Sequence, residues 1–123
     1  MVLAAAAYGA LFTAFHLRCA AICALTDSGS TALWLSRHDI DVPIFALTPN
    51  VSTARRLALY RNVRPLHFQV HTDRDESLAA AERLLLDKEL VKRGDLIVLT
   101  VGEPMGQPGG TNTLKIVRVG ERL

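Results

Sequence analysis

Cysteine is scarce in this chain: two residues, Cys19 and Cys23, in a length of 123. Two thiols four positions apart are too few ligands for a metal site, and no nearby His or Cys pattern completes one. They read as buried thiols in a reducing compartment, which places the protein in the cytoplasm. Charge of one sign is also lacking, since the formal net charge is +2. The basic residues are scattered as Arg55-Arg56, Arg61, Arg64 and Lys92-Arg93. No run of them is interleaved with aromatics, which argues against a nucleic-acid partner. The apolar stretch from Met1 to Phe15 has no positively charged start, so it does not read as a secretory signal. It is too short and too broken by polar residues for a membrane span, and a buried first helix is the reading that remains. There is no Gly-Lys-Ser/Thr triplet and no G-x-G-x-x-G, which excludes the two common nucleotide loops. His16, His38, His67 and His71 pair with no nucleophile in any recognisable pattern, and no metal cluster is visible. No catalytic constellation is therefore expected, and neither an internal repeat nor a low-complexity tract appears.

What the chain does have is globular composition, with 50% hydrophobic and 21% charged residues. Residues 1–123 read as a single domain, long enough for a real core, with a leading helix inside the first 18 residues, over roughly 3–16. Apolar runs and helical stretches then alternate. Strands are predicted at about 20–25, 42–48, 63–68, 95–101 and 114–119, and helices at about 30–38, 51–60 and from Asp73 onward. Asn50 or Ser52 serves as N-cap for the helix at 51, and Asn62 suits the left-handed turn that ends it. Asp73 and Glu76 form a capping box, after which Leu78, Ala81 and Leu85 share one face. Pro65 puts the third strand near a sheet edge. The run Asp95 to Val101 is apolar without alternation, as in a strand covered on both faces. Leu114 to Val119 alternates, which suggests a half-exposed edge strand, antiparallel to the others. The fold class is thus α/β, a three-layer α/β/α arrangement with a mostly parallel five-stranded sheet.

Ligands of such folds sit beyond the carboxyl ends of the strands. Two loops have the composition for that position. The first is Thr26-Asp-Ser-Gly-Ser-Thr31, a hydroxyl-and-glycine loop between an apolar strand and a helix start. Free backbone N–H groups, the helix dipole and the hydroxyls of Thr26, Ser28, Ser30 and Thr31 suit a phosphate there, and Gly29 allows close approach. A plain N-cap with a tight turn has the same composition. The second loop, Gly102 to Thr113, holds four glycines and two prolines, and its length favours a lid over a simple turn. Trp34, the single tryptophan, reads as core rather than as a ligand stack. His67 reads as structural. Arg37 and His38 close the helix that follows the first loop, and Asp39 and Asp41 read as solubilising turn residues.

An ordered set of signatures resembles the C-terminal domain of pyruvate kinase. The matching pieces are Ile22-Cys-Ala-Leu-Thr-Asp-Ser-Gly-Ser-Thr-Ala32, Pro43-Ile-Phe-Ala-Leu-Thr48 and Thr53-Ala-Arg-Arg-Leu-Ala-Leu-Tyr-Arg-Asn-Val-Arg-Pro65. Leu90-Val-Lys-Arg-Gly-Asp95 and Gly110-Thr-Asn-Thr113 complete the set, and the Ala-rich first helix fits it. The resemblance implies a five-stranded mixed sheet with helices on both faces. It implies a regulatory domain that binds a phosphorylated effector through the loop Thr26–Thr31 and through Gly109, Gly110 and Thr111 of the glycine-rich loop. Contribution to a homotetramer, in part through the last strand, is implied as well. The parent enzyme transfers phosphate from phosphoenolpyruvate to ADP with magnesium and usually potassium. Those parts belong to a barrel and a lid domain, and a barrel alone needs roughly 250 residues. Hence no cofactor and no catalysis are expected of this chain by itself. Two departures bear on the ligand. Many members carry Lys or Arg where this chain has Ser30, and bisphosphate-activated members often place Trp and Arg where it has Val70 and Ser77. The first removes a charge-assisted hydrogen bond to phosphate, and the second argues against fructose 1,6-bisphosphate. The wording Thr-Asp-Ser-Gly and Leu-Tyr-Arg-Asn-Val is more similar to bacterial forms that respond to AMP or sugar monophosphates. Two alternatives stand beside this reading: a pure oligomerisation module with a vacant effector site, and a small stand-alone enzyme.

Overall fold

The computed structural model describes residues 2–38, 40–70, 73–102 and 111–121. Gly109 and Gly110 of the expected lid, together with Asp39 and His71, lie outside the described residues. Nine elements follow in chain order: α1 (Val2–His16), β1 (Ala21–Leu25), α2 (Ser30–Ser36), β2 (Ile44–Thr48), α3 (Val51–Leu57), β3 (Val63–His67), α4 (Arg74–Asp87), β4 (Leu96–Gly102) and β5 (Thr111–Arg118). The expected α/β class and the mostly parallel five-stranded sheet are both present.

Local chemistry accounts for the starts and stops. Ala7, Ala10, Leu11 and Ala14 recur at helical spacing and form the buried stripe of α1. The Asn50 side chain accepts from the N–H groups of Ser52 and Thr53 at 3.0 and 3.3 Å, which starts α3. Asp73 accepts from the Glu76 N–H at 3.1 Å and starts α4. Asn62 takes the left-handed conformation, with φ 62°. Its amide donates to the Val42 carbonyl at 2.6 Å and fixes the entry to β2. Two helices are shorter than the sequence suggests. After Leu57 the chain continues in i→i+3 bonds, Leu59 N–H to Arg56 and Tyr60 N–H to Leu57, so the last turn of α3 tightens out of the α-form. α2 stops at Ser36, where the Ser36 hydroxyl and the His38 ring turn back on the carbonyls of Leu33 and Trp34.

The sheet order is β3-β2-β1-β4-β5, parallel throughout except for the β4–β5 pair. β5 is the expected antiparallel edge, but it begins at Thr111 rather than 114, because Thr111 pairs with Gly102 across a register irregularity beside Val101. Thr111 to Thr113 are therefore strand, not loop. β3 forms the other edge, where Pro65 needs no second ladder partner.

Alternation along β1 divides the core. Ala21, Cys23 and Leu25 join Leu78, Ala81 and Leu85 of α4 on one face. Ile22 and Ala24 join α1 and Leu35 of α2 on the other. α3 packs through Leu57 against Ala32 and Ala46 on that same side. The chain turns from β1 toward β2, whereas β4, on the far side of β1, turns toward β5. The order thus reverses between β1 and β4, and the loop after β1 lies at the reversal.

Candidate functional site

β1 hands over to a tight loop. The Thr26 N–H bonds the Leu47 carbonyl at 2.9 Å, the last rung toward β2. The Thr26 hydroxyl then accepts from the Gly29 N–H at 2.8 Å and folds the loop back on itself. Gly29 is left-handed, with φ 86°, and a Cβ there would stand 2.9 Å from Leu57 Cδ2 and 3.3 Å from Thr53 Cγ2. Glycine is required on both counts. The Ser28 and Ser30 hydroxyls bond each other at 2.9 Å, and both residues are half-buried. α2 therefore begins behind a glycine cap that offers its first turn no side-chain acceptor.

Two elements close on this loop. From β5, the Thr111 hydroxyl meets the Thr31 hydroxyl at 2.6 Å, with both residues buried. From α3, the Thr53 hydroxyl donates to the Asp27 carbonyl at 3.0 Å. The Arg56 guanidinium donates to the Ser28 carbonyl. The helix itself is expected from the sequence, but Arg55-Arg56 reads there only as scattered charge. The available signal was the spacing, since Thr53, Arg56 and Leu57 fall on one helical face, and a glycine needing close approach implied a neighbour pressed against it.

The hydroxyls thus divide into two groups. Thr26 and Thr31 are engaged inside the scaffold, where they shape the loop and tie it to β5. Ser28 and Ser30 remain half-open beside Arg56. Among the described residues, one buried hydroxyl, Thr100 Oγ1 in β4, has no hydrogen-bond partner. It sits opposite Ala24 in the β1–β4 ladder, two residues short of the end of its strand.

The family model described as the pyruvate kinase alpha/beta domain matches residues 4–117. Pyruvate kinase II of Salmonella typhimurium is 40% identical over 116 residues, covering 94% of this chain and 24% of that protein. The pyruvate kinase of Staphylococcus saprophyticus is 40% identical over 111 residues, covering 90% of this chain and 19% of its own length. The chain belongs to the pyruvate kinase family.

More narrowly, it is the alpha/beta domain of that family, the C-terminal part of a pyruvate kinase. The chain spans about a quarter or less of the length of these relatives.

The other residues singled out from the sequence lie away from the loop. The Trp34 ring packs edge-on to Tyr8 of α1 at 5.9 Å, beneath the Arg37 guanidinium at 5.5 Å, so it belongs to the α1–α2 contact. His38 meets the same tyrosine at 5.0 Å, and His16 stacks on Phe12 at 4.2 Å. Cys19 and Cys23 are free and buried. Burial pushes the Cys23 thiol up to about 12, which leaves no thiolate nucleophile at neutral pH. Among the described residues, no group of three or more His, Cys, Asp or Glu side chains has the arrangement of a metal site. Among them too, no helix is long and apolar enough to cross a membrane.

Proposed function

We propose that this domain is the regulatory part of a cytoplasmic pyruvate kinase, the enzyme that converts phosphoenolpyruvate and ADP to pyruvate and ATP. It binds a phosphorylated allosteric effector in a seat built on Thr26, Ser28, Gly29, Ser30 and Thr31. It also contributes to a homo-oligomer. Phosphoryl transfer belongs to parts of such an enzyme that this chain does not cover.

The observation that carries the reading is the Thr31–Thr111 hydroxyl pair at 2.6 Å. It joins the loop after β1 to Thr111, the first residue of β5, which supports a seat to which the last strand contributes. A phosphate fits the half-open hydroxyls of Ser28 and Ser30, with the Thr26 and Thr31 hydroxyls holding the loop in shape through Gly29 and Thr111. A monophosphate, of a sugar or of AMP, fits better than fructose 1,6-bisphosphate. A second phosphate would need a second cation, and Ser77, one of the two positions expected to furnish that end of the site, is fully buried in α4.

Calorimetric titration of the chain with ribose 5-phosphate, glucose 6-phosphate, AMP and fructose 1,6-bisphosphate tests this. Binding of a monophosphate is expected, and silence for all four at millimolar concentration refutes the seat. A second reading, an assembly module with a vacant seat, draws on the outer face of α1. Phe12 and Phe15 there are 66% and 67% exposed, a large apolar surface for a helix end. Self-association in sedimentation together with no phosphate binding selects that reading.

A further inference from the structure

We infer that Arg56 supplies the cation of the seat, delivered from α3 in place of the charge that Ser30 does not carry; the inference rests on the effector reading above. The position of Arg56 is built rather than incidental. α3 is fixed to the loop at three successive points on one face. Thr53 donates to the Asp27 carbonyl at 3.0 Å, Arg56 donates to the Ser28 carbonyl, and the buried Leu57 presses on Gly29 so closely that no Cβ fits there. The Asn50 cap holds the start of the same helix. A side chain one turn beyond Thr53 has little choice but to overlie the Ser28–Ser30 stretch.

Charge and donor count agree with a ligand role. The ion pairs among the described residues, Arg74–Asp75 and Arg118–Glu121, leave Arg56 out. Among the described residues, its hydrogen bond to Ser28 uses one of five N–H donors, and the accepting carbonyl is neutral. The remaining donors form a planar fork of the kind that takes two oxygens of one phosphate. Ser28 and Ser30, joined at 2.9 Å, lie in the same stretch. As they stand, one hydroxyl donates to the other and leaves one O–H for the same group, and the second is freed when that bond is exchanged for a phosphate oxygen. One guanidinium and two hydroxyls match a single phosphate monoester.

The discriminating experiment measures ribose 5-phosphate and inorganic phosphate binding to the 123-residue chain by calorimetry at two salt concentrations. The variants are Arg56→Gln, Arg56→Lys and the pair Arg56→Gln with Ser30→Lys. Arg56→Gln should weaken ribose 5-phosphate binding about tenfold, the low end for a charge-assisted contact at an exposed side chain, and should flatten the salt dependence. Arg56→Lys should fall between it and the parent chain. Ser30→Lys in the Arg56→Gln background should restore both affinity and salt dependence, which a merely structural role for Arg56 would not do. Arg56→Gln binding within twofold of the parent overturns the inference and leaves the seat standing. Weakening that Ser30→Lys fails to rescue also overturns it, because the loss then comes from loop geometry. A parent chain that binds neither probe refutes the seat itself. Circular dichroism melts of each variant show whether the fold is intact, and Arg56→Lys keeps the test alive if glutamine disturbs it.

Discussion

Replacing Gly29 with alanine adds one methyl group where the chain has no room for it. Two costs add. The residue is left-handed, with φ 86°, and an L side chain there costs about 1–2 kcal/mol. The new Cβ also meets Leu57 Cδ2 at 2.9 Å, below any ordinary contact, and Leu57 is itself fully buried. Overpacking of that kind costs about 1–3 kcal/mol. The sum, roughly 2–5 kcal/mol, is a large share of the 5–15 kcal/mol typical of a domain. At roughly 3–5 °C per kcal/mol for this length, Tm should fall by roughly 6–25 °C. Gly94 provides the internal control. It is also left-handed, with φ 93°, but a Cβ there meets nothing within 4 Å. Gly94→Ala therefore reports the conformational cost alone, and the difference between the two variants isolates the packing of α3 on the loop. Thermal and urea melts of both variants measure it. Equal losses would refute the claim that α3 is pressed against this loop, and with it the fixed placement of Arg56.

Three further outcomes are expected. Thr31→Val should cost about 1–3 kcal/mol by leaving the buried Thr111 hydroxyl without its partner, and Thr31→Val with Thr111→Val should recover most of it in a urea double-mutant cycle. Asn50→Ala should cost about 0.5–2 kcal/mol in the same assay, since its side chain caps two N–H groups of α3. Burial by the apolar core raises the Cys23 thiol from 9.0 to about 12. The folded state therefore holds a proton that the unfolded state releases, and this contribution is intact below pH 9.0 and is lost as pH climbs toward about 12. Urea midpoints across that range should fall more steeply for the parent than for Cys23→Ala, and alkylation of Cys23 at pH 8 should require unfolding.

Much of the fold was legible because its central strands are covered on both faces and so read as plain apolar runs. Ala21–Leu25 and Ile44–Thr48 are buried at every position. Caps were legible for a similar reason: Asn50 and Asp73 act within three residues of themselves. The start of β5 was not. Thr-Asn-Thr carries no apolar alternation, and what makes it strand is its partner Val101–Gly102, which local pattern does not reveal. The candidate loop was visible in its hydroxyls and glycine, but the direction of each hydroxyl was not. Thr31 points to a residue 80 positions away. Arg56 was invisible as a neighbour of Ser28 because only the packing of α3 brings them together.

The order β3-β2-β1-β4-β5 has a consequence for how the chain is made. β1, the first strand of this sheet in chain order, occupies its middle. Ile22 finds Ile44 on one side early, but its other partner is Val98, near the end of the chain. Until β4 has emerged, one edge of a fully apolar strand has nothing to pair with, the state in which a nascent chain is most exposed to strand addition by its neighbours. The long loop closure between β1 and β4 is the slow step that topology imposes. The centre of the sheet is thus completed late, and the Thr31–Thr111 contact beside the candidate loop forms only after that.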